Sequence, residues 1–191
     1  MNILLLASKL SATSIVVVLT ASLATAAPSP QAFRATLDII QTVAPGSTKL
    51  CYAVGTIAAQ GWATYLDAVT GTSQSCINTG GVSSFVFSSL QPLTLRGLQG
   101  NLFLCYEGKF IQASTRGVTY LIDGVYRIIG GTVTFQGARG YGTLHGIQDL
   151  SAVLTGRGHA ILIGVITFGG VPSGSNEPDC SPVGTQGAPA P

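Results

Sequence analysis

Residues 124–142 read GVYRIIGGTVTFQGARGYG: six glycines among short apolar runs, with two arginines, Arg127 and Arg139. Gly130-Gly131 permits a turn with positive φ between two strands. Gly137, Gly140 and Gly142 carry no side chain, which allows sharp coiling and bulges where a barrel wall closes. The stretch therefore reads as strand, turn and strand in a strongly curved sheet, with TVTF as a short strand of its own.

Working outward, the chain keeps the same character. In FRATLDIIQTV, Phe33, Ala35, Leu37, Ile39 and Val43 point one way while Arg34, Thr36, Asp38 and Thr42 point the other. Period two over this length predicts a half-buried strand. APGST reads as a turn and KLCYAVGTI as the next strand. Further β-type runs are GWATYLDAV, VSSFVFSSL, PLTLRGL, NLFLCYEGKFIQ, GVTYLIDGVYRII, GYGTLHGI and HAILIGVITF. Gly, Thr and Val disfavour helix, and apolar residues fail to recur at spacings of three and four. The expected fold is all-β: a single closed antiparallel β-barrel of about eight strands, spanning 33–169.

Composition narrows the class. Of 191 residues 46% are hydrophobic and 8% charged, which excludes a disordered chain or a coiled coil. The N-terminal 26 residues have Lys9, an apolar core from Ile15 to Leu23 and the small-residue site Ala24-Thr25-Ala26. That is the layout of a cleavable signal peptide. Residues 27–32 form a leader, and 170–191 a tail rich in Pro and Gly. Cleavage takes Lys9 away and leaves eight basic side chains against seven acidic ones. So small an excess gives no electrostatic basis for nucleic acid, and no membrane association is expected after cleavage. The expected location is secreted.

Cys51, Cys76, Cys105 and Cys180 are an even set, which in an exported chain implies two disulfides with three possible connectivities. LCYAVG and LCYEGK give Cys51 and Cys105 similar strand contexts, whereas Cys76 and Cys180 lie in loop-like sequence. The contexts favour Cys51–Cys105 and Cys76–Cys180.

IIGGTVTFQGARGYG also resembles the strand–turn–strand signature of plant dirigent proteins. Gly130, Gly131, Thr132, Phe135, Ala138, Arg139, Gly140 and Tyr141 fit it. A looser form resembles bacterial secreted members of the wider allene-oxide-cyclase-like barrel group. The resemblance covers some 20 residues. It implies an eight-stranded barrel that can form homo-oligomers. It also implies a small apolar or phenolic ligand, or a reactive intermediate made by a separate oxidase, whose coupling or cyclisation the barrel guides without a cofactor.

Site residues follow from the alternation and this resemblance. On an ideal strand Arg139, Tyr141, Thr143 and His145 share one face, with Gly140, Gly142, Leu144 and Gly146 opposite. Arg157 and His159 likewise share a face with Ile161 and Ile163. If these faces line the lumen, Asp123 and Arg139 are the catalytic pair, and Tyr141, His145, Arg157 and His159 bind ligand. If they face outward, the same residues are simply solvated. Asp123 and Arg127 are separated by four residues, roughly 13 Å along a strand, so Asp123 needs a partner from another strand. No metal site is expected, since two histidines on strands without a placed carboxylate are weak evidence for one. A non-catalytic exported barrel that binds a ligand or a surface, and a matrix protein, are the competing functions.

Overall fold

A computed structural model describes residues 28–48, 51–79, 84–113, 119–152, 155–169 and 180. The expected signal peptide lies outside the described residues, as does the tail apart from Cys180. Eight antiparallel strands close into one barrel in sequence order. They are β1 (Gln31–Thr48), β2 (Cys51–Ala63), β3 (Asp67–Thr79), β4 (Ser84–Gly97), β5 (Gly100–Gln112), β6 (Thr119–Gly131), β7 (Arg139–Ala152) and β8 (Thr155–Thr167). Every strand pairs with its two neighbours, and β8 returns to β1 through Phe33 opposite Gly164. Closure leaves no sheet edge to pair with other chains.

The expected strands differ from the observed ones in places, for physical reasons. β1 already includes Gln31 and Ala32, and it runs through APGST with a register shift between Pro45 and Thr48. GWATYLDAV is split, because Leu66 turns in to cover one barrel end, flanked by positive φ at Tyr65 and Asp67. VSSFVFSSL and PLTLRGL contribute to the single strand β4, whose pairing with β5 shifts register between Ser88 and Leu93.

TVTF is not a strand. Val133–Phe135 is one turn of 3-10 helix that folds over the same barrel end as Leu66 and buries Phe135 completely. Thr132 docks this turn, its amide donating to the Asn101 carbonyl and its hydroxyl accepting from the Asn101 amide. Gly131 permits the close approach: a Cβ there would lie 2.4 Å from the Phe135 Cβ. With Leu95, Leu102, Ile128 and Ile166 also fully buried around it, this end is plugged. The opposite end carries the half-buried Ile39, Val43, Ile57, Phe85 and Leu150.

Both disulfides form, with a connectivity other than the one expected: Cys51–Cys76 and Cys105–Cys180. Cys51 and Cys76 lie on adjacent strands, β2 and β3, with Cα atoms 5.2 Å apart. β2 and β5 are separated by β3 and β4, roughly 14 Å at about 4.8 Å per strand. A disulfide needs Cα atoms within about 7 Å, so Cys51 cannot reach Cys105. Two disulfides are compatible with an extracellular protein.

Candidate functional site

The lumen is lined by alternate residues of every strand. From β1 these are Phe33, Ala35, Leu37, Ile39 and Gln41, and from β7 Leu144 and Gln148. From Leu144 toward the plug the inward face of β7 is glycine, and Tyr126 of β6 lies across Gly142. A Cβ at Gly142 would meet the Tyr126 ring at 2.7 Å, and one at Gly164 of β8 would meet its hydroxyl at 2.6 Å. Small residues on β7 and β8 therefore seat a large one from β6, and the longer side chains of β7 are left outside.

Between Tyr126 and the half-buried end lies a cavity of about 50 Å³. Its wall is mostly apolar, with Leu37, Ile39, Leu104, Ile122, Leu144 and Leu162 among the aliphatic side chains and Phe87 and Phe110 among the aromatic ones. Its polar groups are amides, hydroxyls and phenols only, because no charged side chain is buried among the described residues.

These polar groups form a belt along the inner wall. Gln148 Nε2 donates to Gln41 Oε1, reaching over β8, where a Cβ on Gly156 would come within 2.7 Å of that nitrogen. Gln41 Nε2 makes a long contact to Ser75 Oγ at 3.4 Å, and Ser75 Oγ a similar one to the Gly55 carbonyl. Farther round, Ser73 Oγ donates to the Gln91 carbonyl and lies 2.9 Å from Tyr106 Oη, while the Tyr106 amide donates to Ser89 Oγ. Burial pushes the Tyr106 hydroxyl up to about 12, against the opposing effect of its hydrogen bonds to Ser73 and Ser75.

Tyr126 is the exception to this pairing. Its hydroxyl is buried and has no hydrogen-bond partner. Burial also pushes it up to about 12, so it is a neutral donor at physiological pH. An unpaired buried hydroxyl costs about 1–3 kcal/mol.

Of the two faces that the alternation left open, Asp123, Tyr141, His145, Arg157 and His159 take the outward one. Asp123 of β6 stands opposite His145 of β7, with Oδ1 and Nδ1 3.1 Å apart and both side chains more than half exposed. The partner that Asp123 required from another strand is thus His145, on the outside. His159 makes the equivalent pair with Asp38 of β1 at 3.0 Å, and Arg157 stands exposed opposite Asp149. Tyr141 is 70% exposed. Arg139 is half-buried at the plug rather than in the lumen: its Nη1 donates to the carbonyls of Ile129 and Ala138. The charge in the opening stretch therefore latches the 3-10 turn to the end of β6. The geometry brings together Asp123 with His145 and Asp38 with His159, but it does not bring Asp123 to Arg139.

Among the described residues no group of three or more His, Cys, Asp or Glu side chains could hold a metal ion. No protein-family model, curated protein or solved structure matches this chain. The residues missed by sequence reasoning are Gln41, Ser73, Ser75, Tyr106, Tyr126 and Gln148. Their signal was polarity in the apolar phase of a strand: Gln41 follows Phe33, Ala35, Leu37 and Ile39 at the same spacing of two.

Proposed function

We propose that this protein is an exported barrel that binds a small apolar molecule in its lumen. The observation carrying the reading is the cavity: apolar walls, a few polar groups and one plugged end, the usual composition of a small-molecule site. At about 50 Å³ it is roughly a third of the volume of an engineered apolar cavity that admits benzene. It therefore takes the head of a ligand, whose remaining body lies toward Ile39, Ile57 and Phe85. Export is supported by the signal-like N-terminus and the two disulfides.

Ligand-observed NMR with small apolar compounds tests this directly. Ala59→Leu fills the cavity from β2 and should abolish binding while the barrel stays folded. Binding that survives Ala59→Leu unchanged would place the ligand elsewhere.

A second reading is that the barrel guides coupling or cyclisation of an intermediate supplied by a separate oxidase. It draws on the dirigent-like signature and on the two buried phenols, Tyr106 and Tyr126, neutral donors that can orient a reactive oxygen. In this reading the orienting groups are these phenols rather than Asp123 and Arg139. Oxidase-generated phenoxyl radicals coupled in the presence of the protein should then give an excess of one stereoisomer, and racemic product would count against it.

A further inference from the structure

We propose that the lumen selects ligands carrying a hydrogen-bond acceptor oxygen, a ketone or related carbonyl, and that Tyr126 is the residue that recognises it. This rests on the lumen-binding reading and adds the chemistry of the ligand head. Three observations converge on Tyr126. Its ring lines the cavity. Its hydroxyl is buried and is the only such side-chain atom without a hydrogen-bond partner among the described residues. Its counterpart in the same cross-strand row, Tyr106, is satisfied by Ser73.

Phenylalanine would fill nearly the same volume without burying a hydroxyl, so packing alone does not account for the oxygen at this position. Behind the ring, β7 and β8 approach so closely that Gly142 and Gly164 leave no room even for a Cβ. The hydroxyl itself lies against Gly164, so an acceptor reaches it from the cavity only by passing along the ring. The neutral phenol donates one hydrogen bond, which suits a carbonyl oxygen. A carboxylate would have to enter a lumen in which no described cation is buried. A hydrocarbon of the same shape would fill the space and leave the hydroxyl unpaired.

The test compares cyclopentanone with methylenecyclopentane, which share a shape and differ in the acceptor, by NMR titration of the disulfide-intact protein. Wild type should bind the ketone about tenfold more tightly than the hydrocarbon. Tyr126→Phe should bind both equally, retain hydrocarbon affinity and melt no lower than wild type without ligand. Tyr141→Phe should keep the preference, because that ring lies outside the barrel. If wild type binds both probes equally, or Tyr126→Phe keeps the ketone preference, the assignment to Tyr126 is overturned while the binding chamber stands. Loss of the preference in Tyr141→Phe as well would overturn it too, by pointing to an effect that does not come from the lumen. If neither probe binds wild type, the chamber and the assignment fail together.

Discussion

The amide of Gln148 in β7 donates to the side-chain carbonyl of Gln41 in β1 across the intervening strand β8, over Gly156. Both side chains are almost completely buried, so each amide depends on the other. Replacing one partner strands a buried polar group, whereas replacing both removes the need. Gln41→Leu or Gln148→Leu alone should each cost about 1–3 kcal/mol. The double variant should cost clearly less than the sum of the two. Denaturant unfolding of the four proteins measures the coupling, and strict additivity would show that the bridge contributes nothing.

Tyr106 makes the barrel sensitive to alkali. Its folded-state pKa of about 12 lies above the ordinary 10, so the folded protein holds a proton that the unfolded chain releases first. The stability tied to this proton is complete below pH 10 and is lost as pH rises toward 12. For one such group the loss is on the order of 2–3 kcal/mol. Tyr126 acts in the same direction. Melting temperature followed from pH 9 to 12 should fall, and Tyr106→Phe should flatten part of that fall.

How much of this was legible in the sequence depended on whether alternation alone could settle a question. In β1 it could, because Phe33, Ala35, Leu37 and Ile39 leave one reasonable inward face, and the structure buries or half-buries all four. In β7 the alternation offered two faces, one with Arg139, Tyr141 and His145 and the other with glycines and Leu144. The choice turned on Tyr126, a residue of β6 whose ring needs the space that those glycines leave. A single strand carries no record of its neighbour's side chains. The disulfide pairing was hidden for a similar reason, since it follows from which strands are adjacent. TVTF has strand-like residues, and only the burial of Phe135 over the barrel end explains its 3-10 turn.

The plug should be a separable source of stability. Phe135 is fully buried, and truncation to alanine should cost about 3–5 kcal/mol. Arg139→Met keeps the aliphatic stem and removes the guanidinium bonds to Ile129 and Ala138, a loss of about 1.5–3 kcal/mol for charged hydrogen bonds. Hydrogen exchange should quicken at Ala138 and Phe135, whose amides close the turn, more than in the middle of β6. Uniform quickening throughout the barrel would mean that Arg139 is not a local latch.

Non-reducing peptide mapping should recover Cys51 with Cys76 and Cys105 with Cys180. In the chain-entropy model, sequence separations of 25 and 75 residues give about 3.5 and 4.5 kcal/mol respectively. Removing Cys105–Cys180 should therefore lower stability by about 1 kcal/mol more than removing Cys51–Cys76. A peptide joining Cys51 to Cys105 would contradict the strand order itself.

The outer wall supplies the sharpest contrast with a lumen site. Asp123–His145 and Asp38–His159 are cross-strand pairs whose side chains are 45–70% exposed to water. Screening by solvent limits such pairs to about 0–1 kcal/mol. Asp123→Asn and His145→Gln should each change stability by less than about 1 kcal/mol, and neither should alter binding of a small apolar ligand. Tyr141→Phe should be equally silent, because its ring lies outside the barrel. Ala59→Leu and Tyr126→Phe, acting from within, should change binding through volume and through the acceptor preference respectively. Titrating all five variants with the same ketone separates the two surfaces. A loss of affinity in Asp123→Asn with wild-type affinity in Ala59→Leu would move the binding site to the outer face of β6 and β7.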